Sequence, residues 1–201
     1  MLEQALAGGF AEPVFGAQAT FRALMDALAN PGRPQVLGAV LDAPAGLAPE
    51  LAAVALTLCD HDTAVWLDPD LMEVEAILAW VRFHTAAPLT SDPSRAAFAL
   101  VSSAAALPRF DHFALGTDEY PDRSTTIALL LPSLSGGPEL ALRGPGIDGH
   151  LHIAPHGLPD DFLGLWGQNR DRFPRGIDLL LLGGGEVMGL PRTTRISLEA
   201  H

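Results

Sequence analysis

Thr125-Thr-Ile-Ala-Leu-Leu-Leu131 is a run of strand length without a single charged residue. A strand with one wet face alternates apolar and polar residues. A run that stays apolar belongs to a strand covered on both faces, the usual state inside a largely parallel sheet. Ile177 to Leu182 repeats the pattern, Gly183-Gly-Gly185 separates it from Glu186 to Leu190, and Arg195 to Leu198 follows, so this part reads as hairpin-connected strands. Glu139 to Leu142 is expected beside the 125–131 strand.

Toward the N-terminus the period changes to helical. Phe21, Leu24, Met25 and Leu28 recur at i, i+3, i+4 and i+7, and Asn30-Pro31-Gly32 ends that helix. Leu47, Leu51, Val54 and Leu58 mark a second helix that stops at Cys59-Asp-His-Asp62. Thr63 to Leu67 reads as a strand. Asp70, with Glu73 three residues on, is expected to cap a third helix whose buried face is Val74, Ile77, Leu78 and Val81. A strand at Ala96 to Val101 and a helical turn from Ala104 follow. A fourth helix is expected from Pro159, with Asp160 and Asp161 in its first turn and Phe162, Leu165 and Trp166 toward the sheet. The expected fold is a three-layer α/β/α unit with a mixed sheet, residues 1–201 forming a single domain; the Pro/Gly-rich stretches at 30–34, 132–138 and 144–159 read as loops.

A formal charge of −12 disfavours nucleic acid as a partner, so any anion site must be local. All twelve basic residues are arginine. A chain without lysine cannot carry pyridoxal phosphate as an internal aldimine or build a Walker A site. Cys59 is the sole cysteine, which excludes an intramolecular disulfide and a cysteine-based zinc site. The N-terminal segment has an acidic residue where a secretory leader carries basic ones, and no apolar stretch is long enough to span a bilayer. The expectation is a cytoplasmic, soluble protein.

Three arginines sit where the backbone breaks beside an apolar run: Arg143 in Glu139-Leu-Ala-Leu-Arg-Gly-Pro-Gly146, Arg175 in Phe173-Pro-Arg-Gly-Ile-Asp178, and Arg192 in Leu190-Pro-Arg-Thr-Thr-Arg195. Guanidinium forks suit phosphate or phosphonate oxygens, and they suit a buried carboxylate such as Asp178 equally. Arg192 ranks first as an anion contact because Thr193 and Thr194 add hydroxyl donors beside it. His84, in Arg82-Phe-His-Thr85, is a further candidate as proton donor or oxyanion contact, although a cation at a helix C-terminus needs no other role. Cys59-Asp-His-Asp-Thr63 and the group His150, His152 and His156 contain potential metal ligands, but the first reads as a solvated helix end and the second as a polar loop; no metal is assigned. Gly183 to Gly185 leads into a strand, not a helix, and is a turn rather than a phosphate cradle.

Taken in order, the Phe21-Arg22 helix ending in Asn30-Pro31-Gly32, Leu56-Thr-Leu-Cys-Asp60 running into Asp62-Thr63, Arg82-Phe-His-Thr85, Leu142-Arg-Gly-Pro-Gly-Ile147, Phe173-Pro-Arg-Gly-Ile-Asp178 and Leu190-Pro-Arg-Thr-Thr194 resemble the PhnH family of the bacterial carbon-phosphorus lyase system. The resemblance implies a fold similar to the large domain of pyridoxal-phosphate-dependent transferases, without the cofactor, and a homodimer when isolated. It implies work beside the partner subunits PhnG, PhnI, PhnJ and PhnL, in a complex that displaces adenine from ATP with an alkylphosphonate to give α-D-ribose 1-alkylphosphonate 5-triphosphate. It names no catalytic residue here. The expected function is an accessory subunit of that complex, inactive alone. The alternative is an independent enzyme acting on a phosphorylated small molecule through an arginine-lined site.

Overall fold

The computed structural model describes residues 8–38 and 41–198, and the segment read above for a leader lies, through residue 7, outside the described residues. In chain order the elements are β1 (Gly9–Phe10), α1 (Pro13–Ala29), β2 (Gln35–Val36), β3 (Leu41–Asp42), α2 (Pro49–Leu58), β4 (Val65–Leu67), α3 (Pro69–Met72), α4 (Glu75–Thr85), β5 (Leu89–Thr90), β6 (Phe98–Val101), β7 (Thr126–Leu130), β8 (Leu140–Arg143), β9 (Leu151–Ile153), α5 (Phe162–Asp171), β10 (Asp178–Gly183), β11 (Glu186–Leu190) and β12 (Arg195–Leu198).

The apolar runs take the inner places of a seven-stranded mixed sheet, ordered β2-β11-β10-β7-β6-β4-β5. Strands β10, β7, β6, β4 and β5 run parallel, β11 runs antiparallel to β10, and β2, antiparallel to β11, shares the direction of the five. Alternate side chains divide between two cores. Leu180, Leu182 and Ala128 pack with Leu24, Leu51, Ile77 and Trp80 of the helices α1, α2 and α4. Leu179, Leu181, Ile127 and Leu129 pack with Phe162 and Trp166 of α5 and with Leu140, Leu142 and Ile153. Leu179 to Leu182 are all fully buried, each contributing about 1.5–3 kcal/mol of apolar transfer energy.

The helical cover on one face agrees with the expectation; the other outer layer combines α5 with a second sheet, ordered β12-β8-β9. Here two strand assignments are corrected. Glu139 to Leu142 was expected beside β7, but β7 lies between β6 and β10, and β8 pairs antiparallel with β12 and β9. Leu140 and Leu142 are buried while Arg143 is exposed, the alternation of a strand with one wet face. The β10–β11 hairpin forms as expected, through Gly184 and Gly185 at φ +64° and +78°. Beyond it the Thr194 N–H donates to the Pro191 carbonyl at 2.8 Å, a turn that carries β12 away from β11 into the second sheet.

Three helix expectations also change. The buried face of α1 is Gly16, Thr20, Ala23, Leu24 and Ala27, while Phe21 and Met25 are exposed. The cause is close approach: a Cβ at Gly189 of β11 would lie 2.5 Å from the Ala27 carbonyl oxygen, so only small residues fit between helix and sheet there. Asp68, not Asp70, is the cap; its Oδ1 accepts from Leu71 N–H at 2.9 Å, α3 is one turn long, and α4 starts afresh at Glu75. Ile77 and Val81 of α4 are buried as expected, and Trp80 joins them. Helix α5 starts at Phe162, three residues after Pro159, with Asp161 at its N-cap position.

Among the described residues no helix is long and apolar enough to cross a membrane.

Candidate anion site

In an open α/β sheet, ligands favour the carboxyl ends of strands where strand order reverses. That point lies between β4 and β6, because β5 follows β4 on one side and β6 returns on the other. Asp68 fills it. The buried carboxylate accepts from Leu71 N–H through Oδ1, and from the Ser102 N–H and hydroxyl through Oδ2. The Leu71 and Ser102 donors at this crevice are thus taken up by the protein's own side chain.

The arginines gather elsewhere. A hollow of about 350 Å³ is lined by Arg143, Gly144, Pro145, Arg170, Phe173, Arg192, Thr193 and Arg195. Three elements build it: the end of β8, the C-terminal half of α5 with Phe173 beyond, and the turn from β11 into β12. Gly144 lets them meet. Its φ is +147°, and a Cβ there would stand 3.2 Å from the Thr193 carbonyl oxygen, so a side chain would press on the opposing turn.

Within this wall the guanidiniums differ in what neutralises them. Arg192 is spent internally. Its Nε donates to Asp178 Oδ1 at 3.2 Å, Nη2 bonds Asp178 Oδ2 and the Ser124 hydroxyl, and Nη1 donates to the Pro121 carbonyl at 2.8 Å. The Arg192 N–H also donates to Asp178 Oδ1 at 2.7 Å. Arg175 lies outside the hollow, its Nε 3.2 Å from Asp118 Oδ1 on an exposed pair. The carboxylate weighed as a partner, Asp178, therefore serves Arg192, the arginine ranked first for ligand.

Arg143, Arg170 and Arg195 have no carboxylate partner among the described residues. Arg143 and Arg195 are direct cross-strand partners in the β8–β12 ladder. Like charges at such a pair repel, a cost that a bound anion would remove. Arg170 is in the last turn of α5, and its Nε is sealed from solvent with no hydrogen-bond partner among the described residues.

Of the other candidates, Thr193 lines the hollow, whereas Thr194 is fully buried and turns inward, its carbonyl accepting from Trp166 Nε1–H at 2.8 Å. His84 lies on α4, over the opposite face of the large sheet, its ring centroid 4.7 Å from that of Trp80 and 5.0 Å from that of Phe83. The structure thus brings together Arg143, Arg192 and Thr193 and leaves Arg175, Thr194 and His84 apart from them. Arg170 and Arg195 complete the cluster. Arg195 was readable only through the β8–β12 register, and Arg170 only through its place one turn after the buried Trp166 of α5. The ring centroids of His150 and His152, at the start of β9, lie 5.1 Å apart with the planes tilted by 48°, and His152 Nδ1 lies 3.6 Å from Glu139 Oε1.

Fold and site together define an α/β protein with a basic hollow in an acidic body. Comparison with known proteins places it further. The chain matches the family described as bacterial phosphonate metabolism protein (PhnH) over residues 8–197. It is 52% identical, over 196 residues and 98% of each chain, to the alpha-D-ribose 1-methylphosphonate 5-triphosphate synthase subunit PhnH of Rhizobium meliloti (strain 1021). It is 38% identical over 91 residues, 43% of this chain and 45% of the relative, to the putative C-P lyase subunit protein HtxG of Stutzerimonas stutzeri. The chain belongs to the PhnH family, as its motifs indicated.

Proposed function

We propose that this protein is an accessory subunit of the carbon-phosphorus lyase system, required for forming α-D-ribose 1-alkylphosphonate 5-triphosphate from ATP and an alkylphosphonate. The observation that carries this reading is the lining of the hollow: four arginines with a threonine, a phenylalanine, a proline and a glycine. Guanidiniums hold and orient anions, but nothing in that wall is a general base at neutral pH or an activated nucleophile. Such a site positions a phosphorylated group and leaves the bond changes to residues on another chain. The relative named as a synthase subunit supports the same division.

The partners in this reading are PhnG, PhnI, PhnJ and PhnL, with a homodimer as the isolated form and the cytoplasm as its place of work. Val14, Phe15, Phe21 and Met25 leave an apolar stripe on α1, the kind of surface that assembly covers. The chain is one domain, a cofactor-free counterpart of the large domain of pyridoxal-phosphate-dependent transferases. The missing lysine supports that reading, because no residue could carry the cofactor as a Schiff base.

Reconstitution tests the proposal. With the partner subunits, ATP and methylphosphonate present, omitting this chain should abolish adenine release and adding it back should restore it. The isolated chain should release none. Adenine release by the isolated chain would instead support an independent enzyme.

A further inference from the structure

The charge in the hollow is too high for one phosphonate. Among the described residues Arg143, Arg170 and Arg195 bring three guanidiniums without a carboxylate partner, whereas Arg192 is already matched by Asp178. A single phosphoryl group carries about −1.5 to −2 and three acceptor oxygens near neutral pH, which about two bidentate forks saturate. The third fork, and the repulsion between the cross-strand partners Arg143 and Arg195, would stay uncompensated.

Placement adds to the count. Arg143 and Arg195 project from the neighbouring strands β8 and β12, while Arg170 comes from the last turn of α5, so the three forks approach from three different elements. Arg192, immobilised by Asp178, Ser124 and Pro121, supplies a fixed part of the same wall. We infer that Arg143, Arg170 and Arg195 form a site for a polyphosphate chain, several linked phosphoryl groups lying across the β8–β12 ladder toward the end of α5. The inference deepens the subunit reading and rests on it, assigning this hollow to the polyphosphate end of a substrate or product and not to the phosphonate.

The test uses the isolated full-length chain and two probes, inorganic tripolyphosphate and methylphosphonate, titrated by calorimetry at low ionic strength. Tripolyphosphate should bind saturably, at least tenfold tighter than methylphosphonate, and weaken as salt is raised. R143A/R195A should lose at least tenfold in tripolyphosphate affinity while its thermal midpoint without ligand equals or exceeds that of the parent, because a like-charge pair has been removed. R170M should show a loss in the same direction. Absence of saturable tripolyphosphate binding, a preference for methylphosphonate, or undiminished binding by R143A/R195A each overturns the inference. If the chain also supports adenine release in the assembly, the subunit reading survives that failure. If R143A/R195A fails to co-purify with the partner subunits and the parent binds no tripolyphosphate, these arginines belong to a protein interface instead.

Discussion

Arg192 and Asp178 form a two-pronged ion pair that ties the turn after β11 to the first residue of β10, with Nε 3.2 Å from Oδ1 and Nη2 on Oδ2. Both side chains are largely buried, at 13% and 21% exposure. Removing one partner leaves the other charged, sheltered and unmatched, which typically costs about 3–5 kcal/mol. R192A and D178A should therefore each lower the unfolding free energy by about 3–5 kcal/mol, read as a lower denaturant midpoint with an unchanged slope. A shift below about 1 kcal/mol would show that the pair is not structural.

Arg175 should behave in the opposite way. Its pair with Asp118 is exposed, and such pairs contribute about 0–1 kcal/mol. R175A should unfold within about 0.5 kcal/mol of the parent and bind tripolyphosphate equally well, both read in one titration series.

Ala86 ends α4 at φ +56°, in the left-handed region where glycine is the usual residue. A Cβ there costs about 1 kcal/mol. A86G should raise the thermal midpoint by about 2–4 °C, a change that scanning calorimetry resolves.

Burial pushes the Cys59 thiol up from 9.0 to about 12, and the neighbouring Asp60 carboxylate adds to the shift. The folded state therefore keeps its proton where the unfolded chain has lost it. Stability linked to this group is complete below about 9 and falls as pH rises toward about 12. C59A should lack that part of the alkaline loss, and in the parent a thiol reagent at pH 8 should react slowly until denaturant is added.

The sequence showed the inner strands because Ile127 to Leu131 and Ile177 to Leu182 are apolar on both faces, and only a covered sheet accommodates that. It did not show which sheet β8 joins, since Leu140 and Leu142 specify a buried face without specifying the neighbour. On α1, the large residues Phe21 and Met25 outweighed the small stripe through Gly16, Thr20, Ala23 and Ala27; the decisive fact was the approach of Gly189, distant in the chain from every residue of that stripe. The site divided in the same way. Arg143 and Thr193 were visible beside backbone breaks, but Arg195 depended on strand register, and the engagement of Arg192 depended on a hairpin bringing back Asp178.

The central claim is that the uncompensated arginines, not the paired ones, serve the assembly. It is tested most directly by reconstituting the subunits with R143A/R195A and measuring adenine release from ATP and methylphosphonate. The account predicts normal incorporation of the variant and at least a tenfold loss of rate, with R175A at the parent rate. A fully incorporated R143A/R195A subunit that sustains the parent rate would contradict it.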